Sequence, residues 1–206
     1  MLILYRILIN LILIFSPIII IIRLLKKKED LKRFKEKFCF FSKRKKNGNL
    51  IWFHGASVGE LQSILPLIEK FEKNKKIKQI LVTSNTLSSS KIIRKYKFKK
   101  LVHQFFPIDT NFLSKKFIDY WKPSNVFFID SEIWPNTIYN LEKRDIPIIL
   151  LNGRITQQSF NRWKLIISFA KNIFSKFSLC LSSSVESKNR LKNLGASKVK
   201  LIGNLK

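Results

Sequence analysis

Cysteine, glycine, proline and acidic residues are all scarce in this sequence. Its 206 residues hold two cysteines, six glycines and six prolines. Cys39 and Cys180 form no CxxC pair and have no histidine at metal-ligand spacing, so neither a disulfide framework nor a metal site is expected. No segment has the spacing of GxGxxG or of a P-loop, which leaves a dinucleotide or Walker-type nucleotide site unsupported. Thirteen Asp and Glu stand against 40 Lys and Arg, a formal charge of +27. Such an excess suits an anionic neighbour, whether nucleic acid, anionic lipid or a phosphorylated substrate. A Lys- and Ile-rich compositional bias with solvated lysines accounts for it equally well.

What is abundant is apolar sequence, beginning at the first residue. Residues 1–22 are almost all Leu, Ile, Phe and Tyr. A helix rising about 1.5 Å per residue needs roughly 20 apolar residues to cross a hydrocarbon core of about 30 Å. Arg6 lies near enough to the start to snorkel to headgroups, and Pro17 is tolerated in membrane helices. The run passes straight into Arg23 and Lys26 to Lys28 without a small-residue cleavage site, which favours an uncleaved anchor over a signal peptide. The basic residues after the span outnumber the lone Arg6 before it, so a single-pass anchor with a cytoplasmic domain is expected. Leu31, Phe34, Phe38 and Phe41 recur at three or four residues within residues 30–46 and predict a basic amphipathic helix along the headgroups.

The turn at Asn47, Gly48 and Asn49 opens the globular part, giving an anchor over residues 1–22, a basic membrane-proximal segment over 23–48 and one domain over 49–206. Strands are expected at residues 50–53, 79–83, 101–105, 125–130, 147–151, 179–182 and 199–202. Helical patterns begin between them near Ser57, Ser88, Asn111, Pro135, Thr156 and Glu186. Apolar strands without alternation, separated by crossover-length helices, predict an α/β, Rossmann-like parallel sheet covered on both faces.

In such sheets the reactive groups gather in the loops after the carboxyl ends of the strands. The first of these loops, from His54 to Glu60, sets Gly55 and Gly59 beside Ser57 and Glu60 where a helix begins. Ser57-Val58-Gly59-Glu60 also reads as a capping box. After the fourth strand, Asp130-Ser131-Glu132 clusters acids in a chain poor in them, with helix capping as the competing reading. Asp109 follows the third strand. Arg154 follows the fifth, placed to pair with a phosphate or carboxylate or else solvated. His54 is a weaker candidate for substrate contact than the neighbouring acid, and His103 packs within its strand.

The runs FHGASVGE (residues 53–60), FFPIDT (105–110), FIDYWKPSNVFFIDSEIWPN (117–136), LNGRITQQSFNRWK (151–164) and LGASKVKLIGNLK (194–206) together resemble the 3-deoxy-D-manno-octulosonic acid (Kdo) transferases of lipopolysaccharide synthesis. SVGE, SEIWPN and the terminal GNLK are jointly specific. The resemblance implies the N-terminal half of a GT-B glycosyltransferase, in which two Rossmann-like domains face each other across a cleft. It implies transfer of Kdo from CMP-Kdo to a phosphorylated lipid A precursor, with inversion, at the bacterial inner membrane, and with no metal or other cofactor. It makes Glu60 the general base and Glu132 a second functional position. His54, Ser57, Gly59, Asp109 and Arg154 become candidates for substrate contact, with membrane lipids as further partners.

Two secondary motifs depart from the family pattern, at residues 83–88 and 183–187. The chain stops where the family enters its donor-binding domain, so this half is expected to need that domain, on a longer or a separate chain, for turnover. A membrane-tethered nucleic-acid binder is the rival from another class. The aromatics sit in apolar runs and no helix-turn-helix or RNA-binding signature is present, so no nucleic-acid partner is expected. A half that only scaffolds a partner is the third reading.

Overall fold

All seven apolar runs become strands of one parallel sheet in the computed structural model, which describes residues 1–205. Lys206, the last residue of the GNLK run, lies outside the described residues. The elements in order are α1 (Leu2–Leu25), β1 (Asn49–His54), α2 (Val58–Ser63), α3 (Leu65–Lys73), β2 (Ile77–Ser84), α4 (Leu87–Lys95) and β3 (Leu101–Phe105). There follow α5 (Asn111–Trp121), β4 (Asn125–Ile129), α6 (Pro135–Glu142), β5 (Ile148–Gly153) and α7 (Gln157–Lys164). The last four are α8 (Ile167–Phe174), β6 (Leu179–Ser182), α9 (Val185–Asn193) and β7 (Val199–Leu201). Spatial order in the sheet is β3-β2-β1-β4-β5-β6-β7.

Both faces of the sheet are covered, which is why its strands read as continuous apolar runs rather than as alternation. Successive side chains of β1 enter opposite layers. Leu50 and Trp52 join the core shared with α5, α6 and α8, while Ile51 and Phe53 join that under α2, α3 and α4. Trp52, Trp121, Phe117 and Phe128 are all essentially inaccessible, so aromatic area dominates the first layer. The single helix expected from Ser57 is divided into α2 and α3. Pro66, in the first turn of α3, has no N–H to offer the carbonyl four residues back.

The segment over residues 30–46 is not the expected amphipathic helix. Its only helical part is a short 3₁₀ turn, Phe34–Phe38, closed by Cys39 in the left-handed region. The reason is Glu36, which points inward and is 1% exposed. Its carboxylate accepts from Arg33 Nε at 2.7 Å, Arg33 Nη2 at 2.8 Å and the Phe105 N–H at 2.8 Å, and from Ser42. Arg33 also donates to the His103 carbonyl at 2.8 Å. Phe41 stacks on Tyr120 with centroids 3.7 Å apart. These contacts fasten the segment to β3 and α5 instead of leaving it free for headgroups.

Helix α1 departs from expectation in a second way. Arg6 does not reach toward headgroups but donates to Asn136 at 2.9 Å and to Asn111 at 3.4 Å, while the Tyr5 hydroxyl donates to Asp109 at 2.7 Å. Pro17 removes a donor to the Leu13 carbonyl, and the Ser16 hydroxyl supplies one at 2.6 Å.

Candidate functional site

Strands β1 and β4 are hydrogen-bonded neighbours, yet the chain leaves β1 toward β2 and β4 toward β5, in opposite directions across the sheet. Their carboxyl ends therefore form the topological switch point, where open α/β sheets bind ligands. The loops carrying His54 to Glu60 and Asp130 to Trp134 meet there.

His54, the last residue of β1, is fully buried and lies 3.2 Å by Nε2 from Glu132 Oε2. On its other side Nδ1 is 2.9 Å from Thr83 Oγ1, which also accepts from Trp52 Nε1 at 2.8 Å. Thr83 has one proton to give, and the imidazole nitrogen is its nearer acceptor. One consistent assignment runs Trp52 N–H to Thr83, Thr83 O–H to Nδ1 of a neutral His54, and His54 Nε2–H to Glu132. Trp134 Nε1 donates to the same Glu132 oxygen at 2.9 Å, and Phe106 stacks on the imidazole at 4.0 Å. Glu132 is thereby fixed through Oε2, while among the described residues no hydrogen bond engages its Oε1. The sequence placed His54 below its acidic neighbour, whereas the fold makes it the support of the second acid. Thr83 and Trp134 were not singled out: His54 and Thr83 come together only through the parallel register of β1 on β2.

Glu60 lies in the first turn of α2. Its Oε2 accepts from the Ala56 N–H and its Oε1 from Ser57 Oγ, both at 2.7 Å, and Ser57 Oγ accepts from the Glu60 N–H at 3.2 Å. The capping-box reading holds, with the carboxylate reaching one residue further back than usual. A carboxylate has about four lone-pair sites, and Glu60 uses two. Gly55 is tightly enclosed: a Cβ there would stand 3.1 Å from Ile129 and Leu61 and 3.2 Å from the Glu60 Cβ, so these side chains would have to give way. Gly59 and Ser57 are exposed, and a Cβ on Gly59 would meet nothing within 4 Å.

Asp109 is fully used. Its oxygens accept from the Asn136 N–H at 3.0 Å, the Thr137 N–H at 2.8 Å, Thr137 Oγ1 at 2.6 Å and Tyr5 at 2.7 Å. Helix α6 has no side-chain cap of its own, and Asp109 caps it from another loop. With four donors on two oxygens, Asp109 has no site left for a ligand. Burial pushes its carboxyl up to about 6, against the pull of these hydrogen bonds.

Further along the carboxyl edge, Asp130 and Asn152 end β4 and β5 in the left-handed region at φ 57° and 56°, their side chains hydrogen-bonded to each other. Strain of this kind gathers at functional sites. Beside them lies a polar cavity of about 510 Å³ lined by Arg154, Arg190, Thr156, Ser184 and Glu186 among others. Arg154 is exposed, and its guanidinium makes no hydrogen bond among the described residues. Arg190 is held by the Ile155 carbonyl at 2.8 Å. A second, largely apolar groove of about 370 Å³ separates α1 from Phe106, Ile108 and Trp134. Among the described residues no three His, Cys, Asp or Glu converge as a metal site would require.

The architecture and its switch-point pair define the class, an α/β domain of the GT-B-like kind. Among solved structures, UDP-GlcNAc 2-epimerase from Neisseria meningitidis superposes with TM-score 0.57 at 12% identity, over 76% of this chain and 47% of that one. The UDP-N-acetylglucosamine 2-epimerase from Rickettsia bellii does so with TM-score 0.52 at 15% identity, over 77% and 45%. At such identities the likeness concerns fold alone.

Residues 32–206 match the family model for 3-deoxy-D-manno-octulosonic-acid transferase (kdotransferase), and the chain belongs to this family of glycosyltransferases. The 3-deoxy-D-manno-octulosonic acid transferase of Rickettsia bellii is 39% identical over 92% of this chain and 45% of its own length. That of Haemophilus influenzae is 30% identical over 76% and 37%. A probable mitochondrial one from Arabidopsis thaliana is 35% identical over 73% and 34%. The chain thus spans less than half the length of these relatives.

Proposed function

We propose that this chain forms the acceptor-side half of an enzyme that transfers Kdo from CMP-Kdo to a phosphorylated lipid A precursor at the cytoplasmic face of the bacterial inner membrane. The reading rests chiefly on two carboxylates, Glu60 and Glu132, held in adjoining loops at the switch point of a Kdo transferase domain. A donor-binding domain, as in the longer relatives, completes the cleft.

In this reading an acceptor hydroxyl attacks the anomeric carbon of Kdo while Glu60 takes its proton. The bond to CMP breaks, and CMP leaves with the electron pair. CMP is a good leaving group, so no strong acid is required opposite the base. The two free lone-pair sites of Glu60 suffice for the proton, and its bonds to Ala56 and Ser57 fix the direction of approach. Glu132, braced by His54 and Trp134, orients the sugar through Oε1. Arg154 and Arg190 meet anionic groups of the substrates. Asp109 serves as a positioning residue behind the site, and Ser57 and Gly59 offer an open loop to the acceptor.

The test is Glu60→Gln in this chain joined after Lys206 to the remainder of the Rickettsia bellii relative, with Kdo transfer as readout. Glutamine is accepted at this position of a capping box, so the fold should persist while turnover falls about 10²- to 10⁴-fold. Undiminished turnover would remove Glu60 as base. A second reading exchanges the two acids, favoured by the unengaged Oε1 of Glu132. Loss of turnover in Glu132→Gln but not in Glu60→Gln would select it.

A further inference from the structure

A helix that crosses a membrane beneath a soluble domain touches that domain at one end. Helix α1 lies alongside it, with Leu2, Tyr5 and Leu13 packed against the core and the apolar groove opening between its middle and Phe106, Ile108 and Trp134. The residues of α1 that lose exposure include Tyr5, Ile9, Leu13, Ser16, Ile20 and Arg23, a stripe at three- and four-residue intervals from the first turn to the last. At the amino end Tyr5 and Arg6 engage Asp109, Asn111 and Asn136. At the carboxyl end Arg23 Nε bonds Glu29 at 2.9 Å, and Lys37 meets the same carboxylate at 2.5 Å. Both ends of a helix about 36 Å long are therefore tied to one face of one domain.

The outer face is the reverse. Ile3, Ile7, Ile14, Ile18 and Ile21 are each more than half exposed, and no charged residue interrupts the helix between Arg6 and Arg23. Surface-lying helices ordinarily carry a charged face of their own. Here that face is supplied by the domain: Tyr5, Arg6 and Arg23 turn inward and are bonded there. The composite of helix and basic domain is what is amphipathic.

We propose that α1 is a monotopic, in-plane anchor: it stays clasped to the domain and sinks its outer face into a single leaflet of an anionic bilayer instead of crossing it. The occupant of the apolar face is lipid, argued from charge: the helix adjoins Lys26, Lys27 and Lys28, all exposed, in a chain of net +27. Crossing would require breaking the bonds of Tyr5 and Arg6 and stripping the buried Asp109 carboxylate of one donor.

The full chain carrying an epitope tag ahead of Met1 provides the test, in sealed inside-out and right-side-out membrane vesicles treated with protease. The tag should be removed only in those vesicles in which the domain is also digested. Removal of the tag where the domain is protected would establish a crossing helix and overturn the proposal. In addition, purified chain should float with vesicles of phosphatidylglycerol and phosphatidylethanolamine. A chain that remains unfloated, as a soluble dimer or otherwise, would show that its apolar face has another occupant and would equally overturn it. Neither readout depends on sugar transfer.

Discussion

Asp109 shows how one side chain is committed by its surroundings. Its ordinary value of 3.8 is raised to about 6 by burial, so the folded protein holds this proton more tightly than the unfolded chain. The associated stability is complete below about 3.8 and is lost as pH rises through about 6. The shift corresponds to roughly 3 kcal/mol as an order of magnitude. Tyr5 can turn its hydroxyl from donor to acceptor when Asp109 is protonated, so the clasp is retained on both sides of the transition. Asp109→Asn should lower stability at all pH values and remove this contribution to the slope between pH 4 and 7, as read from urea midpoints. The positions of Glu60 and Glu132 at strand ends were legible from the strand-end rule and the scarcity of acids, while their candidacy for chemistry came from the family resemblance. The commitment of Asp109 was not legible, because its partners are brought in from two distant elements, Tyr5 from α1 and Asn136 and Thr137 from α6. The same applies to Thr83, whose value to His54 depends on strand register.

Among the elements, all seven strands were read, each to within two residues at its ends, since burial on both faces leaves an uninterrupted apolar run as signature. Six helix starts read from pattern lie within one residue of those found, though α8 was not foreseen, and five are fixed by caps at Ser57, Thr86, Thr110, Thr156 and Ser184 that accept from the N–H three residues on. Strand ends were less legible, because Asp130 and Asn152 turn left-handed where an apolar pattern has already faded. The segment over residues 30–46 misled because aromatic spacing alone cannot report that the intervening Glu36 is the buried residue. This makes a strong expectation for the element. Arg33→Ala leaves Glu36 buried without its bidentate partner and should cost about 3–5 kcal/mol, seen as a lower unfolding midpoint and faster proteolysis after residue 26. Arg33→Lys should rescue little, because an ammonium cannot span both carboxylate oxygens and the His103 carbonyl.

For the whole molecule, charge and apolar surface divide the work of binding. Replacing Lys26, Lys27 and Lys28 by glutamine should weaken association with anionic vesicles by about 10²-fold at low salt, at roughly 1 kcal/mol per lysine. Binding that remains should be less sensitive to salt, the outer face of α1 then carrying a larger share of it. Equal loss on neutral vesicles would assign the lysines a structural role instead. The partners of α1 bear on the chemistry as well. The residues bonded to α1 follow β3 and β4, so the in-plane anchor proposed above would set the sheet on the bilayer with its carboxyl end down. A lipid drawn out of a leaflet exposes methylene groups to water at about 0.8 kcal/mol each. Each acyl chain raised by two methylenes would already forfeit about 1.6 kcal/mol. Under the proposed acceptor and anchor, carboxylates at headgroup level would let the acyl chains stay in the hydrocarbon and leave that energy for the transition state.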